Sequence, residues 1–339
     1  MMLRKLPRSA RIILIVFLQS IVVGVLIGAL RADQGEALEE AALGALIGGL
    51  IGFGCTFAEV IIFSNAALRW VPPVVFMVLR TLVFGGFILM GLLIPTFVTG
   101  ADLPWAQEGF AGLFLICGLV ALAFSIGIEV VRLLGSEATL ALISARYARP
   151  RLEDRVILFA DLAGSTALAE RIGELRFHAY LQDVALDLAQ AINATNGNVY
   201  RYVGDGVIAT WPLLAGTKSA ACLRCAEQIH AGLKRRASHY QSRYGDAPSV
   251  RIAIHCGPVA VGEMGDWKKE IALLGDVMNT TARIEVAAKS LNAQTVLSEA
   301  LCHQLPEPAR ATLKRLPDFA AAGKADTLVL WTPDARALS

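Results

Sequence analysis

Two aspartates stand where this chain could do chemistry. Asp161 ends "RVILFAD" (155–161), a run of strand-forming residues, and is followed by the small-residue turn "LAGST" and a helix start. Asp205 lies at the centre of "YRYVGDGVIATW" (200–211), between glycines that accept the positive φ of a hairpin turn. A Gly-Asp-Gly on its own is simply a tight turn, so the second aspartate matters only if the fold brings it to the first. In a split β-α-β arrangement the ends of those two strands lie side by side. Two carboxylates so placed repel unless a cation sits between them, and Mg2+ prefers such oxygens with phosphate completing its shell. The turn at 162–166 (Leu162, Ala163, Gly164, Ser165, Thr166) would aim backbone N–H groups at a phosphate, with the two hydroxyls beside them. The residues outline a nucleotide-polyphosphate site.

The elements that must position these groups follow from the pattern after Arg155. A strand at 155–161 gives way to helical periodicity over 167–194, then the hairpin, then a helix near 217–243. Strands at 250–256 and 258–264, with Gly257-Pro258 between them, precede a helix at 277–290. That order implies an α+β sheet covered by helices. Asn279 and Arg283 lie four apart on the last helix, hence on one face. His255 reads as a strand residue near the sheet end.

The rest of the chain has a different composition. Of 339 residues, 55% are apolar and 18% charged, and the apolar excess lies before about residue 135. Four stretches, roughly 12–30, 41–63, 72–98 and 110–131, are each long enough to cross a hydrocarbon core about 30 Å thick. The segments "RADQGEALEE" (31–40) and "TGADLPWAQE" (99–108) are acidic, whereas the N-terminus and the stretch from Arg132 through Arg146, Arg149, Arg151 and Arg155 are basic. By the positive-inside rule both termini and the second half are cytoplasmic, at a plasma (inner) membrane. Gly24 and Gly28, and Gly44, Gly48 and Gly52, let helix backbones approach closely, either within the bundle or between two copies. Glu59, Arg80 and Glu129 are the ionisable residues inside the spans, and Arg80 is expected to pair with one or both glutamates. Residues 132–154 form a linker read as a short amphipathic helix, opening at Ser136 and stopping at Pro150.

Net charge is +2, which gives no global pull toward nucleic acid. Cys222 and Cys225 form a C-x-x-C pair in a helix without the second pair or histidines a zinc site needs, so they read as reduced thiols.

The second half resembles the class III nucleotidyl cyclases. "FADLAGST" is similar to the family's first metal motif and "YVGDG" to its second, while "IAIHCGPVAVGEMG" resembles its strand–turn–strand segment and "GDVMNTTARIE" its N-x-x-x-R helix. The motifs occur in family order over about 155–333. The resemblance implies a ferredoxin-like βαββαβ core and conversion of ATP to 3′,5′-cyclic AMP and pyrophosphate. By it, Asp161 and Asp205, helped by the Leu162 carbonyl, hold two Mg2+ or Mn2+ ions per site, Asn279 orients the ribose and Arg283 stabilises charge on the α-phosphoryl group. The base-recognition positions are Arg201 and Ala272, and Lys324 in "AAGKAD" is the candidate phosphate lysine. The resemblance also implies that the site is completed across a head-to-tail homodimer. Arg201 only donates hydrogen bonds and Ala272 accepts none, so guanylate cyclase remains an alternative to adenylate cyclase. A nucleotide-binding membrane receptor without turnover is a second one.

Overall fold

The computed structural model describes residues 17–18, 20–26, 29, 37–63, 71–94, 110–135, 138–139, 141, 144–267, 269–320 and 327–334. The chain divides into two units, residues 1–139 and 140–339.

The first unit is helical. α1 (Ala37–Phe57) runs into a π-helical turn (Ala58–Phe63), and α2 (Pro73–Leu92) and α3 (Phe110–Leu134) follow. Two of the four expected spans, at 41–63 and 73–92, are long and apolar enough to cross a membrane by length and composition. The expected span at 12–30 falls partly outside the described residues, and the apolar part of α3 counted by the same measure is shorter, 118–131. Large apolar side chains such as Phe53, Val74, Leu82 and Met90 are exposed, while Arg80 is 1% exposed. Arg80 Nε lies 3.1 Å from Glu59 and its Nη1 3.7 Å from Glu129, and its guanidinium sits 4.8 Å from the Phe76 ring centroid and 5.4 Å from that of Phe63. The expected ion pairing thus engages both glutamates. Among the described glycines, helix backbones come close within the unit: a Cβ on Gly24 would lie 2.1 Å from the Gly44 carbonyl oxygen, and one on Gly48 2.3 Å from that of Ser20; Gly28 lies outside the described residues.

The second unit is an α+β sheet domain. Its core elements are β1 (Arg151–Leu162), α4 (Ser165–Ile172), α5 (Glu174–Ala194), β2 (Asn198–Val203), β3 (Gly206–Pro212), α6 (Leu213–Thr217), α7 (Ala221–Arg235), α8 (Ala237–Tyr244) and β4 (Val250–Met264). Then come β5 (Glu270–Leu274), α9 (Asp276–Ser290), β6 (Thr295–Ser298), α10 (Glu299–Gln304), α11 (Glu307–Arg310), β7 (Leu313–Arg315), β8 (Phe319–Ala320), β9 (Thr327–Leu328) and β10 (Leu330–Pro333). The sheet order is β2-β3-β1-β4-β6-β10-β7, with β5 also on β4. Its first four strands, joined by their helices, have the expected βαββαβ order.

Strand alternation sorts the two faces. Val156, Leu158, Ala160 and Leu162 pack with Tyr180, Trp211 and Ile229 under α5, α7 and α8, whereas Ile157 and Phe159 face the other way with Val277 and Ile284 of α9. Gly257 lets α9 lie close, since a Cβ there would come within 2.8 Å of Val277.

Several boundaries differ from the sequence reading. β4 is one strand of 15 residues and not two. Pro258 falls where β4 changes neighbours, between its pairing with β6 (252–254) and with β5 (260–264), so its missing N–H breaks no ladder on that edge. Gly173, at φ +80, divides α4 from α5 within the expected 167–194 helix. β1 starts at Arg151, and Arg155 is buried against Glu153 (2.8 Å) and the Tyr147 hydroxyl (3.0 Å), so it belongs to the domain's structure and not to a free basic flank. Of the expected linker helix, the described residues 138, 139 and 141 are helical, whereas 144–149 form turns and bends. β2 carries a bulge between Val199 and Arg201.

Candidate active site

Asp161 is an odd-numbered residue of β1 and therefore belongs to the α9 face of the sheet. Directly opposite it in the β1–β4 register stands Arg251. The hairpin joining β2 and β3 closes at Val203↔Gly206, leaving Gly204 and Asp205 as a two-residue turn, with Gly204 at φ +58. Gly206 is required for a second reason. A Cβ there would lie 2.9 Å from the Ala160 carbonyl oxygen and 3.7 Å from Asp161 Oδ1, so the hairpin tip is seated against the end of β1.

The electrostatics record that approach. Burial raises the Asp161 carboxyl above its ordinary value, the Asp205 charge raises it further, and Arg251 and Lys289 oppose the shift. Glu285 on α9 is raised by burial and then by the charges of Asp161 and Asp205. Three carboxylates and two cations share one neighbourhood. Among the described residues no three His, Cys, Asp or Glu side chains close into a metal cage. A pair of repelling carboxylates nevertheless fits Mg2+ or Mn2+, since such ions keep water and phosphate oxygens as most of their ligands.

α4 begins at Ser165, directly after Gly164 at φ +76. The Ala163 amide donates to the Ser249 carbonyl (2.8 Å), so it is not free for a phosphate as the sequence suggested. The amides of Ser165 and Thr166 open the helix, where no carbonyl lies four residues upstream within it. On α9, Asn279 is exposed, and Arg283 Nη1 is buried with no hydrogen-bond partner among the described residues. Glu285, two residues beyond Arg283, is turned about 200° around the helix axis from it. Arg201 and Ala272 do meet: both line a pocket of about 410 Å³, with Tyr200, Ile208, Met264 and Met278 among its walls. Lys324 lies outside the described residues.

A family model described as "Adenylate and Guanylate cyclase catalytic domain" matches residues 148–325, about half of the chain. The chain belongs to this family. Adenylate cyclase 2 of Rhizobium meliloti (strain 1021) is 37% identical to this chain over 212 residues, 62% of this chain and 58% of the relative. Adenylate cyclase of Anabaena cylindrica is 25% identical over 163 residues, 47% of this chain and 32% of that one. The chain thus spans less than two thirds of either relative's length. A solved bacterial light-regulated adenylyl cyclase shares the fold, with a TM-score of 0.56 at 18% identity over 67% of this chain and 66% of that one.

Sequence reasoning missed Arg251, Lys289 and Glu285 around the two aspartates. Arg251 becomes visible once β4 is placed antiparallel to β1 in register, because alternation then puts it beside Asp161. Glu285 is not visible from helix geometry, which turns it away from Asn279 and Arg283; only the packing of α9 on the sheet brings it to the aspartates. Other polar groups prove structural. His255 Nδ1 lies 2.7 Å from Ser298 Oγ, which also accepts the Leu301 amide at the start of α10. Cys222 and Cys225 are buried, and that burial pushes both thiols up to about 12, as suits unreactive reduced cysteines.

Proposed function

We propose that the chain is a membrane-anchored adenylate cyclase that converts ATP to 3′,5′-cyclic AMP and pyrophosphate. The observation that carries this reading is the seating of the Asp205 turn against Asp161, with Arg251 across the strand, in a domain of the cyclase family. The 37% identical relative being an adenylate cyclase supports ATP over GTP.

In this reading Asp161 and Asp205, with the Leu162 carbonyl, hold two divalent ions. When bound, Mg2+ or Mn2+ acidifies the ribose 3′-hydroxyl and neutralises the departing pyrophosphate. The chain's own groups do the rest. The amides at the start of α4 and Arg251 receive phosphate oxygens, Asn279 orients the ribose, and the Arg283 guanidinium stabilises charge growing on the α-phosphoryl oxygens. Lys324 is the further phosphate-binding candidate. The four apolar segments anchor the domain in the plasma membrane, with both termini cytoplasmic. Exposed apolar side chains around a buried Arg80 support that anchoring.

Two experiments test the reading. Purified protein with Mn2+ or Mg2+ and either ATP or GTP should yield cyclic AMP in preference to cyclic GMP. No cyclic product from either nucleotide would reject it. For the head-to-tail homodimer, Asp161→Ala and Asn279→Ala proteins should each be nearly inactive. Co-expressed at equal levels and pairing randomly, they should recover about a quarter of wild-type activity, because half the dimers keep one whole site of two. No recovery in demonstrated heterodimers would mean that one chain completes the site.

A further inference from the structure

The strand β5 is separated from β2 in the sheet by β3, β1 and β4. Yet the two meet. The Leu273 amide donates to the Tyr200 hydroxyl (3.1 Å), and Arg201 forms an ion pair with Glu270. The β4–β5 hairpin therefore curls across the α9 face of the sheet and closes the pocket against β2.

Along β5, residues alternate. Ile271 and Leu273 pack with Val259, Val261 and Val277, while Glu270, Ala272 and Leu274 share the other side; these three line the pocket, together with Leu273. Position 272 offers only a methyl group. Glu270, two residues away on the same side, offers the acceptor that Ala272 lacks, and apolar walls such as Ile208, Met264 and Met278 suit a flat ring. Arg201 lies over the Tyr200 ring at 5.4 Å, which holds its guanidinium as a donor beside the Glu270 acceptor. A donor and an acceptor side by side over an apolar slot are complementary to one edge of a purine. Met278, in the wall, is followed by Asn279, the ribose candidate.

We infer that Glu270, positioned by Arg201, is the residue that selects the base, accepting a hydrogen bond from the adenine 6-amino group while Arg201 donates to N1. This rests on the cyclase reading and adds to it a specificity residue. In the free protein the pair satisfies itself at the surface. A base that matches both members replaces one interaction by two hydrogen bonds, and a base lacking the amino group leaves a carboxylate unmatched.

The test reads binding and needs no turnover. With Ca2+ present, 3′-deoxy-ATP, which has no attacking hydroxyl, is titrated against its counterpart lacking the 6-amino group. Affinity comes from the rise in melting temperature. Wild type should favour the amino compound by roughly tenfold to a hundredfold, the range for a hydrogen bond to a charged group. Glu270→Ala should abolish that preference and Glu270→Gln, which keeps an acceptor, should restore part of it. An undiminished preference in Glu270→Ala would overturn the assignment. So would a wild type that binds 3′-deoxy-GTP more tightly than 3′-deoxy-ATP. Discrimination that depends on Glu270 in a protein that makes no cyclic product would reject the cyclase reading and leave the base assignment standing.

Discussion

Arg80 in the helical unit and Asp161 in the cyclase domain are both ionisable groups drawn partly or wholly out of water, and their surroundings are opposite. Arg80 is held between two carboxylates and two aromatic rings, so its charge is matched where it lies. Asp161 is held beside Asp205, with Glu285 near enough to be raised by both, and Arg251 and Lys289 only partly offset them. The first cluster is complete without a ligand. In the second, like charges outnumber the cations near them, which in the proposed reading suits divalent ions and phosphates. The difference teaches how to tell a structural charge from a functional one: by whether its neighbours already balance it.

Replacing an aspartate breaks the comparison at its functional end and has the largest expected effect. Asp205→Ala should lower turnover at least about a thousandfold, roughly 4 kcal/mol of barrier, in a protein that remains folded. Near-normal cyclic nucleotide production by a well-folded variant would show that the pair holds no essential metal.

At the structural end the cost should appear in stability. Arg80→Leu leaves Glu59 and Glu129 facing apolar surroundings, and breaking a buried ion pair costs about 3–5 kcal/mol. Thermal unfolding in detergent measures it. An unchanged midpoint would mean that the arginine reaches the aqueous interface and that the cluster is not closed.

The smallest effect sharpens the contrast, because it should have the opposite sign. In metal-free protein Asp161→Asn removes a repelled charge and should raise stability. Asp161 is only partly buried, so solvent screening keeps the gain to about 1 kcal/mol or less, a melting shift of no more than about 2–4 °C. The sign of its pH dependence follows from the raised carboxyl. The folded state holds the Asp161 proton more tightly than the unfolded chain, so wild type loses stability as pH rises through the carboxylate range. The variant's advantage should be absent in acid, grow toward neutrality, and disappear when saturating Mn2+ relieves the repulsion in wild type. A variant less stable than wild type at neutral pH without metal would show that the two aspartates do not strain the fold.

What could be read from sequence follows the same division. Asp161 and Asp205 were legible because each sits in a local signal, a strand end and a Gly-Asp-Gly turn. The Arg80 pairing was legible because a charge in an apolar helix has few partners available. The Arg201–Glu270 contact was not, since it depends on β5 curling past three strands, and no spacing along the chain encodes that. Arg155 was misread for a related reason. Its basic character fits a membrane flank, and only the packing of Tyr147 and Glu153 against it shows it to be interior. The division of β4 into two strands failed because a proline normally ends a ladder, and here it falls between two neighbours.

β2 lies at one end of the sheet, so among the described residues one row of its backbone groups has no strand beside it, and Tyr202 and Val203 are exposed. An edge of that kind is a template for the strands of other chains. The bulge between Val199 and Arg201 puts this row out of step, and Arg201 adds a charge, so an incoming strand cannot match its hydrogen bonds over the full length. The turn that carries Asp205 can therefore project from the end of an open sheet while the domain resists edge-to-edge aggregation.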